Sequence, residues 1–313
     1  MSNILITGGA GFIGSHLVDR LLRDDNDITI IDGESNHITL IDDFSEGKYA
    51  NLPKNPRLTV YEASILADVG HLFKGMDLVF HMAALTRPQW SIIYPLETDT
   101  VNVHGTLKVL EHCRDNKVKR VVFMSSSSMY GEQKTYPTRE DATPYPMCPY
   151  ALTKQIGEEY CQIFERLYGL EFNAIRPFNV YGSRMNPKGI YSSAVAKFIE
   201  VIHKHLPLHI TGDGNQARDF IYIDDVIDQM LLMATSKVHG EAFNCGSGTN
   251  TSINDLMAII AKLMGEDIKP IHTPPVIEPT QTLADISKAK RLLGWTPKTS
   301  LEEGLRRTIE ETI

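Results

Sequence analysis

Cysteine is scarce in this sequence and histidine is not clustered, which excludes several kinds of site. The chain of 313 residues has four cysteines, none of them in a CxxC pair: Cys113, Cys148, Cys161 and Cys245. They are interpreted as reduced packing residues, because a disulfide framework or a zinc site has a regular or closer spacing. The eleven histidines are scattered, and none lies in an HExxH pattern. We therefore expect no metal site.

Long apolar runs and an excess of positive charge are also missing. No stretch approaches the ~20 consecutive apolar residues that a membrane span needs. The net charge of −8 argues against nucleic-acid binding, because a phosphate backbone would be repelled. The opening residues MSNILITGG lack the basic start and the small-residue cleavage site of a signal peptide. We expect a cytoplasmic protein that binds neither nucleic acid nor membrane.

What the sequence does contain is a glycine-rich turn close to its start. In NILITGGAGFIGSHLVDRLL, an apolar strand from Ile4 to Thr7 is followed by Gly8, Gly11 and Gly14 and by an amphipathic helical pattern. Glycines in this setting are typical of dinucleotide-binding folds. Gly8 allows the tight turn, Gly11 lets the backbone approach a pyrophosphate, and Gly14 lets helix and strand pack closely. The free N–H groups of the helix N-terminus would face the phosphates.

Strand and helix patterns alternate over the first half of the chain. They predict strands at residues 57–63, 77–83, 120–126 and 171–177, and helices at 99–116 and 150–168. Such alternation predicts an α/β fold, a doubly wound parallel sheet of the Rossmann type. Ligands of these folds bind at the carboxyl ends of the strands, where Ala83, Ser126 and Pro177 lie.

After about residue 180 the alternation breaks into short loops and helices, with helical patterns near 253–264 and 300–312. We therefore predict a smaller, C-terminal lobe. The predicted dinucleotide-binding domain is 1–178, with 218–245 returning to it. The predicted lobe is formed by 179–217 and 246–313.

Two acidic residues are candidates for binding the adenosine ribose, a role that follows the second strand in this type of fold. They belong to a near-repeat, DITIIDGESN followed by HITLIDDFSE, at residues 27–46. Asp32 comes 18 residues after Gly14 and fits the usual spacing of about 20. Asp42 comes ten residues later. Spacing favours Asp32 but does not decide between the two residues.

The stretch PYALTK places Tyr150 and Lys154 one helical turn apart, on the same helix face. A free tyrosine has a pKa near 10 and is a poor base at neutral pH. A cation ~5 Å away at an effective dielectric constant of ~20 favours the phenolate by roughly 3 kcal/mol, about two pKa units. The positive ring of an oxidised nicotinamide would add to this, so we expect Tyr150 to act as a general base. In FMSSSSMYG, a serine hydroxyl at the sheet edge would share the proton.

These motifs occur with others in an order that resembles a known family. The chain is similar to the extended short-chain dehydrogenases/reductases of the nucleotide-sugar epimerase family. The matching motifs run from residue 7 to residue 297: TGGAGFIGSHLVDRLL, DDFSEGK, VFHMAA, VNVHGTLKVLE, SSSSMYGE, PYALTK, RPFNVYG, GDGNQARDFIYIDD and LADISKAKRLLGWTP. The resemblance implies NAD as the cofactor and a UDP-hexose as the substrate.

The resemblance also implies roles for individual residues. Tyr150 would be the base, Lys154 its modulator and a donor to the nicotinamide ribose, and Ser126 the catalytic hydroxyl. The resemblance favours Asp42 over Asp32 at the adenosine ribose. Together with the glycine turn and the strand ends, the residues expected along the cofactor are Gly8, Gly11, Phe12, Ile13, Gly14, Asp42, Asp43, Phe44, Ser45, Gly47, Ala83, Ala84, Tyr150, Lys154 and Pro177. Those expected along the sugar nucleotide are Ser126, Ser127, Asn179, Arg218, Glu278 and Thr282.

The implied reaction is 4-epimerisation without net oxidation. Tyr150 would remove the proton of the sugar 4-hydroxyl while hydride passes from C4 to bound NAD and then returns to the other face of a 4-keto sugar. The implied substrates are UDP-glucose and UDP-galactose. Thr282 occupies the position that gates sugar size in the family, and its small side chain leaves room for an N-acetyl group. Family members commonly pair through two helices, here 99–116 and 150–168, so a homodimer is expected.

Departures from the family pattern bear on the substrate. Ser127 and the next serine stand where the family's dehydratases carry Asp-Glu, which disfavours dehydration. Asn179 stands where glucuronate epimerases usually have threonine. Pro275 replaces the arginine that reaches the diphosphate, so Arg218 would carry that charge alone or with Arg184.

Alternatives remain at this point. A UDP-glucuronate epimerase or decarboxylase and a nucleotide-sugar reductase are neighbours within the same family. A non-catalytic NAD-binding sensor belongs to a different class. Such a sensor keeps the glycine turn but tends to lose the tyrosine–lysine pair, so the presence of Tyr150 and Lys154 favours an enzyme.

Overall fold

The computed structural model describes residues 2–23, 36–186, 193–275 and 278–313. Within them the strands, in chain order, are β1 (Asn3–Thr7), β2 (His37–Asp42), β3 (Leu58–Glu62), β4 (Leu78–His81), β5 (Arg120–Met124), β6 (Glu171–Pro177), β7 (Val180–Tyr181), β8 (His209–Thr211), β9 (Ala217–Arg218), β10 (Ile221–Tyr222), β11 (Glu241–Cys245), β12 (Thr251–Ser252) and β13 (Ile271–Thr273). The helices are α1 (Phe12–Leu22), α2 (Pro88–Ile93), α3 (Pro95–Asp99), α4 (Gly105–Asp115), α5 (Pro149–Tyr168), α6 (Ala194–His203), α7 (Ile223–Thr235), α8 (Ile253–Met264), α9 (Ser287–Leu293) and α10 (Leu301–Thr312).

Seven strands form the central sheet, in the order β11-β6-β5-β4-β1-β2-β3. Every neighbouring pair in it is parallel. The predicted doubly wound α/β fold is therefore confirmed. Strand β1 has β2 on one side and β4 on the other, so the strand order reverses there and a crevice opens at the carboxyl ends. The predicted division into two lobes stays a prediction.

Both faces of the sheet are covered by helices, and β1, β4, β5 and β6 are accordingly buried in continuous runs rather than at alternate positions. Ile4 and Ile6 of β1 pack into one core with residues of α1 and α7, and this core continues into α6, α8 and α10. Leu5, which points the opposite way, packs into a second core with residues of α4 and α5. The carboxyl ends of the strands remain uncovered by these two layers and form the edge at which a ligand can bind.

The predicted element bounds differ from the structure mainly at this edge. Strand β6 has the predicted bounds, whereas β4 ends at His81 and β5 at Met124, before the predicted 83 and 126. The backbone after β4 turns toward β1, because the N–H groups of Met82 and Ala83 both donate to Thr7 Oγ1 at 3.2 Å. The predicted helix 99–116 is divided by a π-helical turn at residues 100–104.

The cysteines contribute to packing. Cys113, Cys161 and Cys245 are buried, Cys148 is half-buried, and all four are free thiols. Burial raises the pKa of the Cys113 thiol, which therefore stays protonated. In the part of the chain that the structure describes, no group of three or more side chains could hold a metal ion. No helix there is both long enough and apolar enough to span a membrane.

Gly157 sets the distance between α5 and β5. A Cβ atom at residue 157 would lie 2.4 Å from Cζ of the buried Phe123 ring. We predict that Gly157→Ala lowers the free energy of unfolding, measured in urea, by about 1–3 kcal/mol, because the helix must move off the sheet. The exposed control Glu159→Ala should change it by less than about 0.5 kcal/mol. A Gly157→Ala protein stabilised by the ~1 kcal/mol of added helix propensity would contradict this packing.

Candidate functional site

The glycine turn between β1 and α1 is packed on two sides and open on a third. Gly8 has φ +72°, and a Cβ there would lie 2.6 Å from the backbone nitrogen of Ala83. A Cβ at Gly14 would lie 2.4 Å from the Gly8 carbonyl oxygen, so a side chain does not fit between the turn and the helix. A Cβ at Gly11 would approach only the Gly8 carbonyl oxygen, at 3.4 Å. The backbone at Gly11 is therefore accessible to a ligand.

The N-terminus of α1 lies at this open side. The helix begins at Phe12, followed by Ile13, and Gly11 as its N-cap offers no side-chain hydrogen bond. The first N–H groups of a helix have no partner within the helix and carry partial positive charge. A pyrophosphate fits a position of this kind.

Asp42 ends β2 beside the glycine turn. Its Oδ2 accepts from the N–H of Ala10 and its Oδ1 from the N–H of Phe44, both at 2.8 Å. Burial raises the pKa of Asp42, and the two backbone donors act in the opposite direction. A carboxylate has about four acceptor positions, so two remain for other donors. Asp32, the other candidate, lies outside the described residues.

The residues after β2 form a turn that packs on the glycine turn. Ser45 donates to Asp43 Oδ1 from its N–H at 3.0 Å and from its hydroxyl at 2.6 Å. Phe44 has φ +56°, and its ring stacks on a tyrosine ring with centroids 3.8 Å apart. A Cβ at Gly47 would lie 2.8 Å from a side-chain atom of the glycine turn. The two turns together form one wall of the crevice.

A chain of buried polar groups fixes the opposite wall, which follows β4. His81 Nδ1 lies 2.8 Å from Thr7 Oγ1, and Nε2 lies 2.9 Å from Thr106 Oγ1. Thr106 donates to the Asn102 carbonyl at 2.5 Å, so it accepts from Nε2–H, and Nδ1 accepts from the Thr7 hydroxyl. Thr7 Oγ1 in turn accepts from the N–H of Ala83. Burial lowers the pKa of His81 to about 3, so the ring is neutral at physiological pH.

Asn102, in the π-helical turn, joins this wall to α5. Its Oδ1 accepts from the N–H of Leu85 at 2.8 Å, and its Nδ2 donates to the Leu85 carbonyl and to Thr153 Oγ1, both at 3.0 Å. Ala84, the neighbour of Leu85, is half-buried. Sequence reasoning assigned no role to Asn102 or His81. Each is a polar residue inside an apolar segment, which indicates a buried side chain that needs a hydrogen-bonding partner.

Ser126, Tyr150 and Lys154 meet at the carboxyl edge of the sheet. Lys154 Nζ donates to the carbonyl of Met124, the last residue of β5, at 2.7 Å, and lies 6.0 Å from the centroid of the Tyr150 ring. The Ser126 side chain lies close enough to the Tyr150 phenol to lower its pKa by hydrogen bonding. Ser126 Oγ also accepts from the N–H of Ser128 at 3.1 Å. The structure thus brings the three predicted side chains together, and their catalytic roles stay predictions.

Burial dominates the ionisation of the two helix residues. It raises the pKa of the Tyr150 phenol to about 12, against the effect of Ser126. It lowers the pKa of the Lys154 ammonium to about 8, against the effect of the Glu158 charge. Nearby charges alone predict a lowered phenol pKa, whereas burial of the ring raises it. Burial outweighs the effect of Ser126, so without a bound ligand the phenol pKa lies above its usual value.

The predicted sugar-nucleotide residues lie beyond the ends of β5 and β6. Asn179 Nδ2 donates to the Asp219 carbonyl at 2.8 Å and to Thr282 Oγ1 at 3.3 Å. Thr282 Oγ1 also accepts from the N–H of Asp219 at 3.3 Å. Pro177 ends β6, two residues before Asn179. Ser127 begins a short 3₁₀ turn, which follows the two-residue loop after β5.

Arg218, the predicted diphosphate ligand, is paired with an acid. Its Nη2 lies 2.8 Å from Glu278 Oε2, and the arginine is nearly buried while the glutamate is partly exposed. Glu278 also lines a cleft of about 850 Å³. Arg184, which the sequence offers as a second ligand beside Arg218, lies 2.5 Å from Asp19 of α1. Its guanidinium is therefore directed toward α1.

Residues 4–246 match the NAD dependent epimerase/dehydratase family. The chain belongs to this family. Its cofactor is NAD, and the turn that is open at Gly11, together with the α1 N-terminus, fits the pyrophosphate of this dinucleotide. The resemblance seen in the sequence motifs is confirmed.

Relatives of known name match the chain over almost its full length. A putative UDP-glucose 4-epimerase of Methanocaldococcus jannaschii is 37% identical over 98% of this chain and 97% of its own. A UDP-N-acetylglucosamine 4-epimerase structure from Methanobrevibacter ruminantium M1, in complex with UDP-N-acetylmuramic acid, is 36% identical with TM-score 0.93, covering 99% and 97% of the two chains. A UDP-glucuronic acid 4-epimerase structure from Bacillus cereus, with UDP-glucuronic acid and NAD, is 34% identical with TM-score 0.88, covering 99% and 98%. Their names include several UDP-sugars, so this similarity does not select one sugar.

The buried Lys154 ammonium destabilises the fold at neutral pH. Its pKa is lowered from 10.5 to about 8, so the unfolded chain binds more protons between these values and stability rises with pH across that window. This shift corresponds to roughly 3 kcal/mol. We predict that Lys154→Met raises the free energy of unfolding at about pH 7 by about 1–3 kcal/mol, and that the gain shrinks toward about pH 10. Urea unfolding of both proteins measures this, and parallel pH curves would contradict it.

Proposed function

We propose that this protein is an NAD-dependent 4-epimerase that interconverts UDP-hexoses: UDP-glucose with UDP-galactose, and their N-acetylated counterparts. The observation that carries the proposal is the cluster of Ser126, Tyr150 and Lys154 at the same sheet edge as the open glycine turn. A base and a cofactor site that share one edge can act on the same carbon of a bound sugar. The similarity to several UDP-sugar 4-epimerases supports the substrate class.

In the proposed reaction the side chains move one proton and hold charge. Tyr150, as the phenolate, takes the proton of the sugar 4-hydroxyl, and Ser126, which lies close to the phenol, shares it by hydrogen bonding. Lys154, held by the Met124 carbonyl, supplies positive charge that favours the phenolate. The chemistry that bound NAD supplies is reversible hydride exchange with C4. Tyr150 then returns the proton, so no net oxidation results.

The cofactor would lie across the crevice between the two walls. The pyrophosphate would lie at the backbone of Gly11 and the first turn of α1, and Ala83 and Ala84 would line the nicotinamide side. Asp42 would bind the adenosine ribose with its two remaining acceptor positions, which favours NAD over its 2′-phosphorylated form. This assignment makes 1–178 with 218–245 the cofactor domain, and 179–217 with 246–313 the sugar-nucleotide lobe.

The sugar nucleotide would lie along the second group of residues. Arg218 would meet the diphosphate, Glu278 the uridine ribose, and Asn179 and Ser127 the sugar. Serine at 127, in place of the acid pair of dehydratases, supports epimerisation over elimination of water. The small side chain of Thr282 supports acceptance of an N-acetyl group.

A UDP-glucuronate 4-epimerase is a second candidate. The similarity to the Bacillus cereus UDP-glucuronic acid 4-epimerase over nearly the whole chain favours it. In this candidate the same Tyr150 and Lys154 act on C4 of a uronic acid. Product identity separates it from the leading proposal.

We also propose that the protein is a homodimer that pairs through α3, α4 and α5. Leu96 of α3 is 78% exposed and Leu152 of α5 is 45% exposed, and these helices pack side by side. Large apolar side chains exposed on neighbouring helices favour protein contact. Sedimentation should give twice the mass of the 35.1 kDa chain, and Leu152→Glu should move the protein toward monomer. A wild-type monomer at all concentrations would contradict this.

The proposed function predicts which product forms and which tyrosine is needed. The purified protein, incubated without added cofactor with UDP-glucose, UDP-N-acetylglucosamine and UDP-glucuronate, should convert the first two to their 4-epimers. Tyr150→Phe should lower turnover about 10²–10⁴-fold while NAD stays bound, because the base is lost. The exposed control Tyr145→Phe should turn over like the wild type. Exclusive conversion of UDP-glucuronate selects the second candidate, and undiminished turnover of Tyr150→Phe refutes both.

A further inference from the structure

A buried ion pair follows Lys154 on α5. Glu158 lies one turn after Lys154, on the same helix face. Arg176 of β6 donates to its carboxylate three times, from Nε at 2.9 and 3.2 Å and from Nη2 at 2.6 Å. The side chains of Glu158 and Arg176 are 3% and 9% exposed. Two positive charges and one negative charge are thus placed in one cluster away from water.

Arg176 is held on its other side by groups that lead to the sugar-nucleotide lobe. Its Nη1 donates to the Tyr130 hydroxyl at 2.7 Å and to the Glu140 carbonyl at 2.9 Å. Tyr130 donates to Asn244 Oδ1 at 2.7 Å, and Asn244 donates to the Asp285 carbonyl at 3.1 Å. The Glu140 carboxylate accepts from the N–H of Asn244 at 3.0 Å. These contacts fix the guanidinium and, through it, the Glu158 carboxylate.

Among the described residues, most other ionisable groups near the lysine and the Glu158–Arg176 pair are uncharged at neutral pH; the exception is Glu140, whose carboxylate accepts from the N–H of Asn244. On β4, burial lowers the pKa of His81 to about 3. On α5, burial raises the pKa of Tyr150 to about 12 and also raises the pKa of the Cys161 thiol. In the short turn after β5, burial raises the pKa of Tyr130. Glu158 is therefore the negative charge nearest the lysine, and it opposes the effect of burial on the lysine pKa.

We propose that Glu158, fixed in place by Arg176, is a positioning residue that keeps the Lys154 ammonium charged. The Glu158 carboxylate favours the protonated amine, and Arg176 fixes that carboxylate while limiting its effect. Both residues act through Lys154. The inference rests on the proposed function, in which a positive Lys154 favours the Tyr150 phenolate. Turnover then falls as the pH rises through the pKa of Lys154. The negative charge of Glu158 moves this fall to higher pH, and the positive charge of Arg176 moves it to lower pH.

The test measures turnover against pH in two charge-removing variants. Glu158→Gln keeps an oxygen that accepts from Arg176, and it should move the alkaline fall to lower pH by about one unit. Arg176→Met removes the opposing positive charge and should move the fall to higher pH by a smaller amount, because Glu158 is the charge that acts most strongly on the lysine. A general loss of packing would lower turnover in both variants without opposite shifts. Shifts in the same direction, or none, overturn the proposal.

Further variants control for folding and for charge in general. Glu171→Gln removes the acid of the Arg120–Glu171 pair, whose atoms are 2.6 Å apart at the amino ends of β5 and β6. This distant change should leave the pH profile as it is. The double variant Glu158→Gln/Arg176→Met removes both charges and should place the fall below its wild-type position and above that of Glu158→Gln, because the loss of Glu158 outweighs the loss of Arg176. Where Arg176→Met does not fold, Arg176→Gln replaces it with the same expected direction.

A direct titration separates this inference from the proposed function. Carbon NMR of protein labelled at lysine Cε, with Lys154→Met to assign the signal, follows the amine without any sugar present. The Lys154 midpoint should fall in Glu158→Gln and rise in Arg176→Met. Unmoved midpoints overturn the inference and leave the epimerase proposal standing. Moved midpoints in a protein that converts no UDP-sugar overturn the epimerase proposal and leave the charge relation standing.

Discussion

The burial of Tyr150 and Lys154 on one face of α5 is the constraint on which the rest of the site depends. Burial disfavours a charge on either group alone, and it moves the two pKa values in directions that keep both neutral. The proposed reactive state, phenolate beside ammonium, is stabilised only by attraction between opposite charges in a medium of low dielectric constant. Each charge therefore needs support from a neighbour: Glu158 for the amine, and the oxidised cofactor for the phenol.

The fold brings the cofactor site and α5 together along a wall of neutral groups. The carboxyl ends of β1, β2, β4, β5 and β6 lie at one edge of the parallel sheet, so the glycine turn and the start of α5 lie at the same edge. The wall between them is held by Thr7, His81 and Asn102, all of them neutral hydrogen-bonding groups. A charged histidine at residue 81 would repel the Lys154 ammonium. The low pKa of His81 is consistent with this, since burial and Lys154 both lower it.

Local features of this site could be predicted from the sequence, because they depend on spacing along the chain. The glycine turn, strand β6 and helix α5 follow from patterns a few residues long. The π-helical turn could not be predicted in this way, because it is tied to the side-chain bonds that Asn102 makes with a distant loop and with α5. The phenol pKa could not be predicted either. The burial of Tyr150 results from contacts with segments that are far apart in the chain. The charge of Lys154, in contrast, can be read from the sequence, because the lysine is only four residues away.

The choice between Asp32 and Asp42 also depends on contacts that are distant in sequence rather than on local spacing. Counting from Gly14 favours Asp32, because the usual spacing assumes that the second strand follows the first helix closely. Strand β2 occupies residues 37–42 and pairs with both β1 and β3, so Asp42 lies beside Ala10 of the glycine turn. The register that sets this position involves residues distant in sequence, and spacing alone does not reveal it.

The most direct test of the account is an ultraviolet titration of Tyr150 with and without NAD⁺. Subtracting the Tyr150→Phe spectrum isolates the tyrosinate absorbance of residue 150 from that of the other tyrosines. The account predicts that the protein freed of cofactor shows a midpoint at about 12. It predicts that saturating NAD⁺ lowers this midpoint by at least about two units. The same midpoint in both titrations would show that the cofactor's charge does not reach the phenol, and would contradict the account.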